Sequence, residues 1–174
     1  MSEVFVISDL HLGHKSILQF EYDGKPLRPF ADLDEMHETI VANWNATVRP
    51  GDKIYVLGDI CFRKELMGMF DFLNGKKRLV RGNHDLFDTS LYLKYFSEIY
   101  GVRQINGVWL THCPMHLGGV EKDKVKVNIH GHLHANKIDH PKYFNASVEC
   151  INYTPISIED VLANLPKDER NQSR

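Results

Sequence analysis

Five short apolar runs along this chain each end abruptly in polar residues that are capable of metal binding or catalysis. Four or five consecutive Val, Ile and Leu residues are typical of buried strands rather than helices. The runs are Val4–Ile7, Ile54–Leu57, Arg78–Val80, Val108–Leu110 and Val125–Ile129. The residues that follow them are rich in Asp, Asn and His, so the pattern predicts that the strand ends carry the chemistry.

Two segments between the first runs have apolar residues on one face at helical spacing. The face of the first comprises Leu33, Met36, Ile40, Val41 and Trp44. Asp32 or Asp34 is its candidate N-cap. The face of the second comprises Leu66, Met69, Phe70 and Leu73, and Asn74-Gly75 stops it. Both faces are interpreted as core packing.

The second half of the chain is richer in predicted strands. Asn106-Gly107 lies between two strand-like runs and is a strong signal for a two-residue hairpin turn. Tyr143–Cys150 is predicted to form a further strand. Ser157 is expected to cap a last short helix, which Pro166 ends.

Strand–helix alternation followed by strands predicts an α/β fold, with two packed sheets and helices outside. No repeat or linker divides the sequence, so residues 1–166 are expected to form one domain, followed by a polar C-terminal tail at 167–174. In α/β sheets ligands bind beyond the carboxyl ends of the strands. All five polar clusters lie at such ends and are expected to meet at one rim.

Charge and composition narrow the classes of partner. The 174 residues carry a formal net charge of −2, which argues against a basic surface for long nucleic acid. A small phosphorylated substrate stays open, because a bound metal can supply positive charge locally. Three cysteines without C-x-x-C spacing, no signal-like start and no long apolar run predict a cytoplasmic protein that does not associate with membranes.

The polar residues at the predicted rim are oxygen and imidazole donors: Asp9, His11, Asp59, Asn83, His84, His112, His132 and His134. Such donors suit divalent ions such as Zn, Mn, Fe or Ni. Seven plausible ligands are too many for one ion and suit two ions that share a bridging carboxylate. Two-metal sites commonly hydrolyse phosphate esters. Each motif alone is common by chance, whereas the ordered set of five is not.

The ordered set resembles the calcineurin-like metallophosphoesterases over residues 4–156. The motifs that carry the resemblance are Asp9-Leu10-His11, Gly58-Asp59, Gly82-Asn83-His84-Asp85, Thr111-His112 and Gly131-His132-Leu133-His134. Small single-domain bacterial and phage members are the most similar. Their features include the segments Asp9–His14, Arg28-Pro29-Phe30 and Asn43-Trp44-Asn45.

The resemblance implies a metallo-dependent phosphatase-like fold, which is a four-layer α/β/β/α sandwich of two mixed sheets flanked by helices. It also implies two divalent ions. The first would be held by Asp9, His11, Asp59 and His134. The second would be held by Asp59, Asn83, His112 and His132. His84 would be the catalytic histidine. Arg63 stands where protein phosphatases of the family carry a phosphate-binding arginine. Ile60-Cys61-Phe62 lacks their acidic residue, however, so Arg63 either contacts substrate or solvates the following helix.

The implied activity is hydrolysis of small phosphodiesters, of nucleotide or cyclic nucleotide type, or of phosphomonoesters. A metal-bound hydroxide would attack phosphorus, while His84 stabilises charge or protonates the leaving oxygen. One alternative is a catalytically silent scaffold of the same fold that acts in protein interaction. A metallo-β-lactamase-like hydrolase is disfavoured because the chain lacks an H-x-H-x-D-H stretch. The sequence does not indicate the oligomeric state.

Overall fold

Two β-sheets pack face to face in the computed structural model, which describes residues 2–122 and 124–166. In chain order the strands are β1 (Val4–Ile7), β2 (Glu21–Tyr22), β3 (Lys25–Pro26), β4 (Lys53–Val56), β5 (Lys76–Val80), β6 (Glu98–Tyr100), β7 (Val102–Ile105), β8 (Val108–Thr111), β9 (Val127–His130), β10 (Tyr143–Asn145) and β11 (Ile156–Ser157). The helices are α1 (Leu33–Thr47), α2 (Thr89–Tyr92), α3 (Leu117–Val120), α4 (Ile158–Ala163) and two 3₁₀ helices at Lys15–Gln19 and Lys64–Phe72. The predicted tail at 167–174 lies outside the described residues.

Both sheets are mixed. The first has the order β11-β1-β4-β5-β6, with β11 antiparallel to β1 and the other neighbours parallel. The second has the order β10-β9-β8-β7, in which only the β7–β8 pair is antiparallel. The parallel strands β1, β4 and β5 therefore end at one edge of the first sheet, and β8 and β9 end together in the second.

The alternation of side chains along the strands builds two cores. Val6 and Val80 of the first sheet pack against Leu110 and Ile129 of the second, all fully buried. The opposite face of the first sheet packs against α1 and the second 3₁₀ helix. That outer core includes Ile7, Val56, Ile40, Trp44 and Phe70.

The outer face of the second sheet has a thinner cover. Asn128 on β9 accepts a hydrogen bond from the backbone N–H of Met115 (2.8 Å), and the Tyr143 hydroxyl donates to the Met115 carbonyl (2.6 Å). These contacts hold the loop that contains α3 over the sheet. The predicted fold class, two mixed sheets flanked by helices, is confirmed, and its fourth layer is a loop with a one-turn helix.

Several local predictions are also confirmed. Asp32 caps α1 by accepting from the Glu35 N–H (2.9 Å), and Ser157 caps α4 through the Asp160 N–H (2.9 Å). Asn106 and Gly107 both have positive φ, as the tight β7–β8 turn requires.

Three elements differ from the sequence predictions, one in helix type and two in where they end. The second helical segment is a 3₁₀ helix, and α4 ends at Ala163, before Pro166. The strand predicted at Tyr143–Cys150 ends at Asn145, whose side chain binds the carbonyls of His134 and Asn136 and the N–H of Ser147. The chain after Asn145 therefore turns toward the rim instead of extending the sheet. Within the described residues, no helix has the length and apolar character to cross a membrane.

Candidate metal centre

The eight predicted rim residues form one connected group at the carboxyl ends of the strands. Donor atoms of Asp9, His11 and His134 lie within 4.8 Å of one another, as do those of Asp9, Asp59 and His112. His112, Cys113 and His132 form a third such set. Asn83 and His84 join the group through hydrogen bonds to His112 and Asp59. The rim expected from the sequence is therefore present.

Asp9 is a buried carboxylate with one oxygen fixed and one left open. Its Oδ2 accepts from the His132 N–H (2.9 Å) and from the Ser147 hydroxyl (2.8 Å). Its Oδ1 is buried and has no hydrogen-bond partner among the described residues, and the same holds for His11 Nε2, which lies 3.9 Å away. Burying polar atoms without partners is costly. A cation bound between Asp9 Oδ1 and His11 Nε2 would satisfy both atoms.

Asp59 lies between the two halves of the group. Its Oδ2 is 3.8 Å from His11 Nε2 and 3.4 Å from His112 Nε2, while Oδ1 accepts from the backbone N–H of His84 (2.8 Å). The side chain is 2% exposed, so both oxygens face protein groups rather than bulk water. Asp59 is therefore placed where it could contact an ion beside His11 and an ion beside His112.

The imidazoles are oriented by contacts at Nδ1. In His112, Nδ1 lies 2.7 Å from the Leu57 carbonyl, and in His134, Nδ1 lies 3.0 Å from Glu149 Oε1. In both rings Nδ1 must carry a proton to donate to oxygen. Nε2 of His112 lies on the rim, 2.8 Å from Asn83 Oδ1, so it donates there and must lose its proton before it can bind an ion. His11 Nδ1 contacts His14 Nδ1 at 3.0 Å, so its Nε2 also faces the group.

Arg28 and Glu149 form a buried support that the sequence analysis did not identify. The Arg28 side chain is fully buried, and it donates to Glu149 Oε1 (2.8 Å) and to the carbonyls of Asp9 and Leu10. The same Glu149 oxygen binds His134. One ion pair thus holds both the backbone beside Asp9 and the ring of His134. The available signals were a charged residue inside a predicted strand and the segment Arg28-Pro29-Phe30.

The loop that carries His84 is held by its buried neighbour Asp85. The Asp85 carboxylate accepts three backbone N–H groups, those of Asp59 (3.0 Å), Ile60 (3.0 Å) and Gly82 (2.7 Å). Asp85 is 1% exposed, whereas the His84 ring is exposed on the rim. Asp85 therefore anchors the turn, and the His84 side chain is presented toward solvent next to Asp59.

Backbone strain is concentrated at the candidate ligands. Among the residues that the structure describes, nine residues other than glycine have positive φ, and five of them are candidate ligands: Asp9, His11, Asp59, His132 and His134. This conformation costs an L-residue about 1–2 kcal/mol. Such strain persists where the surrounding structure enforces it, and it clusters at functional sites. The strained backbone at these five residues therefore serves to orient the side chains of candidate ligands.

Two motif glycines allow the strand-end loops to touch. A Cβ atom on Gly131 would collide with the Ser8 hydroxyl and with Asp9 Oδ2, and one on Gly82 would collide with Asp59 Oδ1. These glycines are needed for close approach to the two carboxylates. In the motifs Gly82-Asn83 and Gly131-His132 the glycine therefore allows the packing, and the residue after it is the candidate ligand.

The group is electrostatically suited to cations. Burial alone would raise the pKa of Asp9 and of Asp59, but neighbouring imidazoles outweigh that effect and hold both pKa values below their usual range. Burial lowers the pKa of His11, which keeps its ring neutral. Burial opposes the charged form of His112 as well, but Asp59 and Asp9 raise the pKa of its ring above the usual value. Anionic carboxylates and the neutral ring of His11 are the ligand forms that a divalent ion requires, whereas a protonated His112 would lose its proton when an ion binds.

The side chains of this group suit a divalent metal ion. The donors are imidazole nitrogens and carboxylate oxygens, which suit borderline divalent ions. They converge, they are oriented by neighbours, and two of them are buried without other partners. Cys113 is an exposed additional donor beside His112 and His132, and burial of its surroundings raises the pKa of the Cys113 thiol.

Arg63 lies at the edge of the rim rather than within the ligand group. Its side chain is 64% exposed, and its only ion pair among the described residues is with Glu65, at 3.9 Å. An exposed pair at that distance contributes little stability. The Cγ atom of Arg63 lies against Gly13 in the loop after β1. The structure thus leaves its guanidinium accessible, and its contact with substrate stays a prediction.

Comparisons with known proteins identify one family and several similar proteins. A family model described as calcineurin-like phosphoesterase matches residues 3–145. An uncharacterized protein of Methanocaldococcus jannaschii is 34% identical over 180 residues, which cover 96% of this chain and 93% of that protein. The gene 66 protein of Mycobacterium phage L5 is 34% identical over 91 residues, which cover 49% of this chain and 41% of the phage protein.

A solved structure is similar over nearly its whole length. The crystal structure of a protein of unknown function from Aquifex aeolicus aligns with a TM-score of 0.72 and 27% identity. The alignment covers 92% of this chain and 98% of that one.

Proposed function

This chain belongs to the calcineurin-like phosphoesterase family, and from that premise we propose that it is a metal-dependent hydrolase of phosphate esters. The observation that carries the proposal is the pair of buried donors, Asp9 Oδ1 and His11 Nε2, which face each other at 3.9 Å without hydrogen-bond partners among the described residues. Folding buries this pair at a cost that a bound cation offsets.

The proposed centre holds two divalent ions. Asp9, His11, Asp59 and His134 would bind one ion, and Asp59, Asn83, His112 and His132 would bind the other. The position of Asp59 between His11 and His112 supports its role as the shared ligand. Ions bound there would activate a water molecule and would neutralise negative charge on the phosphoryl group.

The chain's own contribution to the reaction centres on His84. Its backbone N–H is fixed to Asp59, and its ring is exposed on the rim, where a bound ester would lie. In the protonated form the ring would donate to a phosphoryl oxygen, or to the leaving oxygen as the ester bond breaks. The buried Asp85 keeps the turn in place through three backbone hydrogen bonds.

The proposed substrates are small phosphodiesters, of nucleotide or cyclic nucleotide type, or phosphomonoesters. The exposed Arg63 guanidinium is proposed to contact the phosphate or its ester group from the edge of the rim. The competing proposal, a catalytically silent scaffold of this fold, predicts no hydrolysis even when the protein is loaded with metal.

Hydrolysis by reconstituted protein tests the proposal. We expect protein loaded with Mn²⁺ or Zn²⁺ to hydrolyse at least one member of a panel of mono-, di- and cyclic phosphate esters. A chelator should abolish the activity, and added metal should restore it. Asp9→Asn protein, purified in parallel, is the control for contaminating phosphatases and should be inactive. Metal-loaded protein that hydrolyses no ester would refute the proposal and favour the scaffold.

Glu149→Gln is expected to weaken metal binding without emptying the centre. The change removes the charge that holds the Nδ1 proton of His134 and the Arg28 guanidinium. Outer partners of ligating histidines typically contribute about 10- to 100-fold in metal affinity. Competition with a chromophoric chelator measures the change in Kd.

Glu98→Gln is the matched control for that variant, because it breaks another Arg–Glu pair, with Arg78 at 2.7 Å on β5 and β6. Its Kd for metal should stay within about twofold of the parent value. Equal Kd values for Glu149→Gln and the parent protein would show that the carboxylate does not support the centre.

A further inference from the structure

A row of four aromatic rings runs along the protein surface from His84 to Phe20. The His84 ring lies 5.3 Å from the Phe62 ring, Phe62 stacks on His14 at 4.2 Å with an interplanar angle of 12°, and His14 meets the edge of Phe20 at 5.9 Å. These four residues are called the aromatic row below. One end of it is the candidate catalytic residue His84, and the other end is the exposed ring of Phe20.

Backbone hydrogen bonds fix the aromatic row in place. The N–H of Phe62 donates to the Leu12 carbonyl (2.8 Å), and the carbonyl of Phe20 accepts from the Leu27 N–H (2.7 Å). Ile17, between His14 and Phe20, is fully buried and anchors the first 3₁₀ helix. Since the segments that carry the rings are held by the fold, little conformational entropy would be lost when a ligand binds to them.

The rings are incompletely covered by protein. Phe20 is 45% exposed, and His14 and Phe62 are half-buried. A single exposed aromatic side chain is ordinary on a protein surface. A continuous row of partly exposed rings that begins at a catalytic candidate is different, because apolar surface beside polar catalytic groups is the usual composition of a ligand site.

We propose that the aromatic row binds a planar aromatic group of the substrate, namely the base of a nucleotide, while the phosphate lies at the metal centre. The inference rests on the proposed phosphoesterase function and narrows its substrate class. Phe62 is the neighbour of His84, so a sugar can span from a phosphate at the rim to a base over the row. Aromatic side chains stack on every base, so the row gives preference for nucleotides with weak discrimination among bases.

A pair of ligands that differ only in the base tests the inference. Adenosine monophosphate and ribose 5-phosphate are titrated by calorimetry into metal-loaded protein, and a free-phosphate assay afterwards confirms that each ligand is intact. The parent protein should bind adenosine monophosphate about tenfold or more tightly than ribose 5-phosphate. Cytidine and guanosine monophosphates should bind within several-fold of adenosine monophosphate.

Two variants test whether the aromatic row causes the preference for adenosine monophosphate over ribose 5-phosphate. Phe20→Ala and Phe62→Leu should each weaken binding of adenosine monophosphate about five- to fiftyfold and leave binding of ribose 5-phosphate within twofold. Phe72→Ala is the matched control, because Phe72 is 76% exposed at the end of the second 3₁₀ helix and is not part of the row. It should change neither affinity. Metal content should equal that of the parent protein in Phe20→Ala and Phe72→Ala. It is measured in Phe62→Leu as well, because the Phe62 ring also stacks on the candidate ligand His11 at 4.9 Å.

The contradicting outcomes are distinct. Equal affinities of the parent protein for the two ligands, or an unchanged preference in Phe20→Ala, would overturn the aromatic row as a base subsite while hydrolysis of simple esters still supports the phosphoesterase. If Phe62→Leu binds neither ligand, the result for Phe20→Ala decides whether the row binds the base. Phe20 lies at the outer end of the row, away from His84. Failure of both phosphates to bind, together with no hydrolysis of any ester, would overturn both proposals.

Discussion

His84→Asn is expected to lower kcat about 10²- to 10⁴-fold while metal content stays near the parent value. That range is typical for loss of a general acid or of a charge-stabilising donor. The His84 ring is exposed and makes no hydrogen bond to the ligand group among the residues that the structure describes, whereas its backbone N–H binds Asp59 in any variant. The substitution should therefore remove chemistry and leave the metal centre intact. Single-turnover rates and elemental analysis measure the two effects separately.

The leaving group distinguishes the two roles of His84. If the ring protonates the leaving oxygen, the defect should be larger for alkyl esters than for nitrophenyl esters, since nitrophenolate departs with little protonation. A uniform defect would leave only charge stabilisation. His116→Asn is the control, because His116 is a further imidazole that caps the short helix α3. Unchanged rates of His84→Asn on every ester would remove the residue from the mechanism.

Asp59→Asn is expected to weaken metal binding at both positions and to lower activity by roughly 10³-fold, because bound metals contribute several kcal/mol to such reactions. The Asp59 carboxylate lies 3.8 Å from His11 and 3.4 Å from His112, so it borders both halves of the ligand group. A neutral amide lacks the negative charge with which the carboxylate oxygen Oδ2, the atom nearest to both histidines, would bind two cations. The number of bound ions and their affinities are measured by titration calorimetry with Mn²⁺.

Asp71→Asn, which changes an exposed carboxylate on the second 3₁₀ helix, is the control and should bind metal like the parent protein. Asp59→Asn also retains the oxygen that accepts the His84 N–H, so its fold should be preserved. Loss of one ion only, with activity retained, would contradict the bridging role of Asp59.

The rim could be predicted because its residues are fixed by strand ends. Asp9 and Asp59 follow parallel strands of the first sheet, and His112 follows β8 of the second. The carboxyl ends of parallel strands lie at one edge of their sheet, and these two edges meet at the rim. The hairpin at Asn106-Gly107 and the cap at Asp32 were predictable for a similar reason, since their conformations depend on neighbours in sequence. Most of the site could therefore be predicted from local sequence rules and from the order of the motifs.

The support behind the rim could not be predicted, because it depends on contacts between distant segments. Arg28 and Glu149 are 121 residues apart in sequence, and nothing in their local patterns indicates that they pair beneath Asp9 and His134. Glu149 stood inside a predicted strand, which the structure ends at Asn145. The aromatic row likewise joins Phe20 and Phe62, whose proximity is set by the loops after β1 and β4.

Metal content at saturation tests the central claim most directly. Chelated protein is reconstituted with excess Mn²⁺, loosely bound ions are removed by desalting, and metal and protein are quantified in the same sample. A dinuclear rim predicts a value that approaches two ions per chain. A saturating value of one ion, or of none, would contradict a centre in which Asp59 joins the Asp9 and His112 groups.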